Sequence, residues 1–280
     1  MQKYIVIADD LTGSNATCSL FKKIGLRAAS ILKLQGDINY DVDVISYSTA
    51  SRGLDKEEAY KKVSEAIKIL KSKDVLVYNK RIDSTLRGNI GTEINAMLDN
   101  LEDDRIAVVI PSYPDSGRIV VNKTMLVNGV LLENSDAGKD PKTPIKTSCV
   151  ESLIQKGIKY SSTYFTLSDI EQPIEEIVKK IQEAIKKSRV LIFDAVNNED
   201  IIKISKAIIH SDINIITVDP GPFTLYYSKE LQKKNHLEKK ILMVIGSVTA
   251  TTKKQIEYIL QEEDIFLVKM KVEDFFEKET

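Results

Sequence analysis

Cysteine and histidine are nearly absent: Cys18, Cys149, His210 and His236 are the only ones in 280 residues. No Cys-x-x-Cys pair or zinc-ligand spacing can be assembled from them, and so few thiols fit a reducing compartment. The two histidines sit in helical or lysine-rich contexts, where a solvated role is the simpler reading. An excess of either charge is also lacking. Forty Lys and Arg face 41 Asp and Glu, for a formal net charge of -1, so no electrostatic argument points to nucleic acid or an anionic membrane. No apolar run approaches the roughly 20 residues that span a bilayer. Because a strand-like run begins almost at the first residue, neither a signal peptide nor an anchor is expected, and the location expected is cytoplasmic. Three catalytic signatures are missing as well. No Gly-x-Gly-x-x-Gly follows the first strand-like run, no Gly-x-x-x-x-Gly-Lys-Ser/Thr occurs, and there is no Gly-x-Ser-x-Gly elbow. Rossmann dinucleotide binding, a P-loop and a serine-hydrolase elbow are therefore unsupported.

What remains is a globular composition, 42% hydrophobic and 29% charged, in a chain long enough for one large or two ordinary domains. Apolar runs of strand length recur: Lys3 to Ala8, Ala28 to Leu32, Asp41 to Ser46, Asp74 to Tyr78, Arg105 to Ile110, Arg189 to Phe193 and Ile213 to Val218. Between several of them lie helical stripes, such as Ala59, Val63, Ala66, Ile67 and Leu70, or Ile174, Ile177, Val178, Ile181 and Ile185. Buried strands alternating with amphipathic helices predict an α/β fold, a mostly parallel sheet with helices on both faces. In such sheets ligands gather outside the carboxyl ends of the strands.

Those strand ends carry the polar residues. The first run ends in Asp9-Asp10-Leu-Thr12-Gly13-Ser14. Two acids there can hold magnesium through water, accept a proton from a hydroxyl group, or cap the next helix, and capping explains one of them better than both. The third run leads into Ser48-Thr49-Ala50-Ser51-Arg52-Gly53. The densest cluster follows Tyr78: Lys80, Arg81, Asp83, Ser84, Thr85 and Arg87 lie within eight residues, before the apolar-periodic segment Ile90, Ile94, Met97, Leu98 and Leu101. Its cations suit an anion, and Asp83 can pair with one of them or orient a hydroxyl group. An ordinary solvated loop is the plainer alternative, although it explains the mixture of charges, hydroxyls and glycines less easily. Further on, Pro111 to Gly117 predicts a rigid turn presenting Arg118, either a clamp for a carboxylate or phosphate or a surface arginine. Thr124 to Leu132 reads as a hairpin-like excursion, and Glu133 to Pro144 as a loop or lid rich in turn formers.

Composition shifts near the end. Lys229 to Lys240 is charged and poor in core residues, the mark of a linker or exposed helix end. A strand over Ile241 to Ile245, the turn Gly246-Ser247, a helix over Lys253 to Leu260 and an apolar run Ile265 to Met270 follow. Gly246 and Ser247 can meet a phosphate at the helix start. The expected division is 1–238 for the first domain and 239–280 for the start of a second α/β domain.

Three motifs, Ile7 to Asn15, Lys80 to Gly88 and Pro111 to Arg118, together resemble the four-carbon acid sugar kinase family. The likeness extends through Asp140-Pro141, Asp194-Ala195, Ile245-Gly246-Ser247 and Gln255. It departs at Asp219-Pro-Gly-Pro-Phe223, where a Gly-Ser-Ala-Gly-like turn is usual, and near Leu132 and Glu133, where a histidine is common. The family's later Gly-Gly-Asp/Glu-Thr nucleotide element is not present. The resemblance implies transfer of the γ-phosphoryl group of ATP to a hydroxyl of an acid such as threonate, erythronate or 3-oxo-tetronate. It implies Asp9, Asp10 and Asp83 as the catalytic candidates. Thr12, Ser51, Arg52, Lys80, Ser84, Thr85, Arg87 and Arg118 are then the substrate-binding set, with Arg87, Lys80 and Arg118 on the carboxylate. Gly246 and Ser247 lie toward the nucleotide, and Mg2+ is held mainly by its phosphates, with at most one acidic side chain added. A sugar-acid-binding module without catalysis and a metal-assisted phosphohydrolase built on Asp9 and Asp10 are the competing readings. The partner is a small-molecule sugar acid, with no nucleic acid or membrane, and a homo-oligomer is left open.

Overall fold

The computed structural model describes residues 3–34, 40–101, 104–237, 243–262 and 267–269. The chain divides into two units, Met1–His236 and Leu237–Thr280. In chain order the first unit runs β1 (Tyr4–Ala8), α1 (Leu11–Lys22), β2 (Ala28–Ile31), β3 (Val44–Ser48), α2 (Lys56–Leu70), β4 (Val77–Arg81), α3 (Ile90–Leu101) and β5 (Ile106–Val109). It continues through β6 (Arg118–Val121), β7 (Thr124–Val127), β8 (Val130–Leu131), α4 (Val150–Gln155), β9 (Ser162–Phe165), α5 (Leu167–Ile170) and α6 (Ile174–Ile185). The last elements are β10 (Val190–Phe193), α7 (Asn198–His210), β11 (Ile215–Asp219) and α8 (Pro222–Leu237), which ends at the unit boundary. In the second unit the described regular element is α9 (Ala250–Glu262).

Eight strands form one sheet in the order β2-β3-β1-β4-β11-β5-β10-β9, and each neighbouring pair is parallel. Strands β1, β4, β5, β10 and β11 are buried along their whole length. Such strands must be apolar on both faces, which accounts for continuous runs like Tyr4 to Ala8. One face packs Ile5, Ile7 and Ile45 against Val63 and Ile67 of α2 and Ile94 and Met97 of α3. The other packs Tyr4, Val6 and Val108 against Phe21 of α1, Ile181 of α6, Ile204 of α7 and Phe223 of α8. Each fully buried aliphatic or aromatic side chain contributes roughly 1.5–3 kcal/mol. The α/β architecture expected from the strand and helix pattern is the one observed.

From β1 the chain moves outward to β2, returns through β3 beside β1, then crosses to the opposite side of β1 as β4. The carboxyl ends of β1 and β4 therefore flank the point where the winding reverses, the usual crevice of an open parallel sheet.

Two elements differ from the sequence expectation. β4 lies at Val77–Arg81 rather than ending at Tyr78, so Lys80 and Arg81 belong to a central strand and not to the loop after it. Arg118 opens β6, which joins β7 and β8 in a separate antiparallel sheet. The segment read as a linker or exposed helix end is, as far as Leu237, the end of helix α8, the second of those two readings. The strand expected over Ile241 to Ile245 and the run Ile265 to Met270 lie partly outside the described residues, as does the expected boundary at 238/239.

Candidate functional site

Asp9 and Asp10 follow β1 directly, and Arg52 reaches both from the loop after β3. Arg52 Nε and Nη2 donate to the two Asp9 oxygens at 2.6 and 3.1 Å. Its Nη1 lies 2.9 Å from Asp10 Oδ2, and Nη2 is 3.6 Å from Asp83 Oδ1. One guanidinium thus gathers three carboxylates from the ends of β1 and β4. The loop that carries it is stitched to β1: Thr49 Oγ1 donates to the Ala8 carbonyl at 2.9 Å, and the Arg52 amide donates to the Asp9 carbonyl at 3.3 Å. Between them Ala50 takes a left-handed backbone, φ 49°, a conformation that costs a residue with a Cβ and persists only where surrounding bonds hold it.

The two aspartates have different local duties. Asp10 is the N-cap of α1, its Oδ1 accepting the Gly13 amide at 2.7 Å. Asp9 is not a cap; its carboxylate is 3% exposed against 27% for Asp10. Capping therefore accounts for one acid of the pair.

Arg87 forms a second fork. Nε and Nη2 hold Asp83 at 2.6 and 3.1 Å, and Nη1 reaches Asp140 at 2.8 Å. This draws in the loop between β8 and α4, where Asp140 also accepts the Lys142 and Thr143 amides. Thr85 Oγ1 adds a bond to Asp83 at 2.6 Å. Burial alone would raise the Asp83 carboxyl, but the Arg87 bonds, the Arg52 charge and the Thr85 hydroxyl outweigh it and hold the group below its ordinary value. The Asp83 bonds in turn raise Arg87. The backbone bond from Thr143 and the Arg87 contact lower Asp140.

Beneath this rim the sheet itself is polar. Lys80 is wholly buried, and its Nζ lies 2.8 Å from Glu93 Oε2 and donates to the Ile7 and Arg81 carbonyls at 3.3 and 2.9 Å. Glu93, in the first turn of α3, also accepts the Ser51 hydroxyl at 2.5 Å. Burial pushes Glu93 up, against the opposing pull of Lys80. On the other face Asn79 Nδ2 donates to Asp219 and to Thr224 Oγ1 at 2.9 and 2.7 Å. The bonds to Lys80 and to Asn79 Nδ2 help such polar side chains lie inside a sheet.

The structure therefore brings together Asp9, Asp10, Arg52, Asp83, Thr85 and Arg87 at the rim. It places Lys80 and Ser51 beneath it, with their polar groups turned to Glu93. Thr12 lies exposed in the first turn of α1 and Ser84 half-buried after Asp83; neither bonds to the network. Arg118 stands outside it and donates to the Ser116 carbonyl of its own turn. Gly246 and Ser247 belong to the second unit, where the Ser247 hydroxyl meets that of Thr252, in the first turn of α9, at 2.9 Å. Of the other strand-end acids, Asp194 is fully buried and ties Tyr164, Lys123 and Leu167 together, while Asp219 accepts the Gly221 and Thr224 amides at the start of α8. Burial raises Asp219.

Glu93 is the residue of this network that sequence reasoning passed over. Glu93 stands three positions after Ile90 and one before Ile94, an acid on an apolar helix stripe, which is a signal that a buried cation opposes it. Among the described residues no group of three or more acidic, histidine or cysteine side chains has the arrangement of a metal site, and no helix is long and apolar enough to cross a membrane.

The fold and rim define a doubly wound α/β domain with a polar, acid-rich rim at its winding reversal. Residues 4–227 match the family described as the sugar-binding N-terminal domain. The chain belongs to that family, and its relatives include the four-carbon acid sugar kinases that its motifs resemble. It is 39% identical over 267 residues to a D-erythronate kinase of Heliobacterium modesticaldum, covering 92% of this chain and 60% of the relative. A D-threonate kinase of Salmonella typhimurium is 30% identical over 260 residues, covering 92% and 61%. The chain thus spans less than two thirds of the length of these relatives. A solved chain from Bordetella bronchiseptica, described as a domain-swapped dimer with bound citrate, shares the fold with a TM-score of 0.73 and 24% identity, over 93% of this chain and 65% of that one.

Proposed function

We propose that this chain is the acid-recognition part of an ATP-dependent kinase that phosphorylates a hydroxyl of a four-carbon sugar acid such as threonate, erythronate or 3-oxo-tetronate. The observation that carries the reading is the gathering of Asp9, Asp10 and Asp83 around one guanidinium at the winding reversal. Polyhydroxylated ligands are donors, and carboxylates with lone pairs to spare are their natural acceptors. Relatives named as erythronate and threonate kinases supply the substrate class.

In this reading Asp10, the more open of the pair, orients the attacking hydroxyl and takes its proton. Asp9 and Asp83 anchor Arg52 and hold neighbouring hydroxyls. Phosphoryl transfer needs positioning and charge balance more than a strong base. Lys80 supports the site through Glu93 and is not a direct ligand. Thr85 and Arg87 fix Asp83.

The second unit bears on ATP. The amides at the start of α9 and the Ser247, Thr249 and Thr252 hydroxyls suit a phosphate chain, so Gly246 and Ser247 remain the proposed contact, in a domain that begins near residue 239. Bound ATP would supply the γ-phosphoryl group. The rim acids do not fit a resident Mg2+ site, because arginines already neutralise them; the ion belongs with the nucleotide. A cytoplasmic location and a homo-oligomer complete the proposal. Its test is Mg2+-dependent ADP release by the complete reading frame with a panel of four-carbon sugar acids. Turnover with one acid supports it, and a folded protein silent across the panel contradicts it.

A further inference from the structure

An ion pair shut away from water is a weak source of stability, because desolvation offsets most of the attraction and a well-packed apolar pair of similar size often does as well or better. Lys80 and Glu93 are such a pair, with side chains 0% and 1% exposed. Fold stability alone therefore does not account for their charges. The carboxylate is shared: Oε2 faces Lys80 at 2.8 Å, while Oε1 accepts the Ser51 hydroxyl at 2.5 Å. Lys80 also donates to the Ile7 and Arg81 carbonyls, which fixes the pair to the ends of β1 and β4.

Ser51 stands next to Arg52. It is fully buried and follows Ala50, whose left-handed backbone persists only where surrounding bonds hold it. Thr49 and the Arg52 amide tie that turn to β1. From the side of α3 it is held by Glu93 on the Ser51 hydroxyl and by Asn89 Nδ2 on the Leu54 carbonyl at 2.8 Å. The Glu93 bond acts one residue from the guanidinium that aligns Asp9 and Asp10. A shift of that turn moves the guanidinium, and a misplacement of about 1 Å can cost a reaction roughly 100-fold.

We infer that Glu93 is a positioning residue for phosphoryl transfer: through the Ser51 hydroxyl it fixes the turn that aims Arg52 at Asp9 and Asp10, while Lys80 balances its buried charge. The inference rests on the kinase reading for the reaction it serves.

The test compares two double variants of the complete reading frame, Lys80→Met with Glu93→Leu and Lys80→Met with Glu93→Gln. Both remove the ion pair, but glutamine keeps an acceptor for Ser51 and leucine does not. A third variant, Ser51→Ala, deletes the hydroxyl and leaves the ion pair. Each is measured for its urea midpoint and for kcat and KM in Mg2+-dependent ADP release with four-carbon sugar acids. The leucine double variant and Ser51→Ala should lose about 10- to 100-fold in kcat, with KM changed by no more than about threefold. The glutamine double variant should recover most of that kcat. A kcat that follows the urea midpoint rather than the acceptor, or a leucine double variant as active as the unsubstituted protein, overturns the inference and leaves the kinase reading intact. Should neither double variant fold, Ser51→Ala decides: a fall in kcat at unaltered KM supports the inference, and an unchanged kcat refutes it. No turnover by the folded unsubstituted protein removes the kinase reading and the inference with it.

Discussion

Arg52 grips Asp9 through two parallel bonds, Nε to Oδ2 at 2.6 Å and Nη2 to Oδ1 at 3.1 Å, so the loop after β3 and the end of β1 act as one piece. The pair is mostly desolvated, with Asp9 at 3% and Arg52 at 22% exposure. Removing Arg52 leaves a buried carboxylate without its partner. Arg52→Ala should cost about 3 kcal/mol, the lower end for a broken buried pair because a fifth of Arg52 sees water. Urea denaturation reads the loss, and an unchanged midpoint would mean that Asp9 does not depend on Arg52.

Lys80 and Glu93 form the wholly buried counterpart, 2.8 Å apart. Lys80→Met alone should destabilise by roughly 3–5 kcal/mol, since it strands Glu93. Adding Glu93→Leu should recover much of that loss. Two additive losses in a double-mutant cycle would dismiss the pairing as an energetic unit.

Acid should weaken the rim through Asp83. Its carboxyl titrates below 3.8 in the folded chain, so the folded form binds fewer protons than the unfolded form in acid. The stability it contributes is fully present above the unfolded value and is lost as pH falls through the folded one. Asp83→Asn should therefore flatten the fall in urea midpoint below about pH 4. A profile identical to that of the unsubstituted chain would rule out this source of acid sensitivity.

Gly13 separates stability from function. Alanine in a helix is ordinarily more stable than glycine by roughly 0.5–1 kcal/mol, but here the added Cβ meets Asp10 Oδ1 at 2.7 Å and crowds Arg81. Gly13→Ala should keep its melting temperature within a few degrees and raise the KM for the sugar acid about tenfold or more. An unaltered KM would show that substrate binding does not depend on where the Asp10 carboxylate sits.

The strand ends were legible because a parallel sheet forces apolar runs to terminate at polar rims, and Asp9, Asp83 and Arg87 stand where that rule puts them. Lys80 misled because a lysine beside an arginine suggests solvent. Only tertiary partners, Glu93 above all, allow β4 to continue through both. The choice of partner was hidden: sequence offers Asp83 any of several cations, whereas the fold gives it the Arg87 fork and lets Asp140 take the remaining donor. Arg118 looked like a member of the site on motif spacing, but it opens β6 and bonds within its own turn.

The central claim, that the acid cluster serves phosphoryl transfer to a sugar acid, is tested most directly by Mg2+-dependent ADP release in the complete reading frame, unsubstituted and as Asp10→Asn. The account predicts turnover with a four-carbon sugar acid, little with the matching tetritol, and a loss of about 100-fold or more in kcat for Asp10→Asn in a protein that still binds the acid. Equal turnover by Asp10→Asn, or none by the folded unsubstituted protein with any acid of the class, would contradict it.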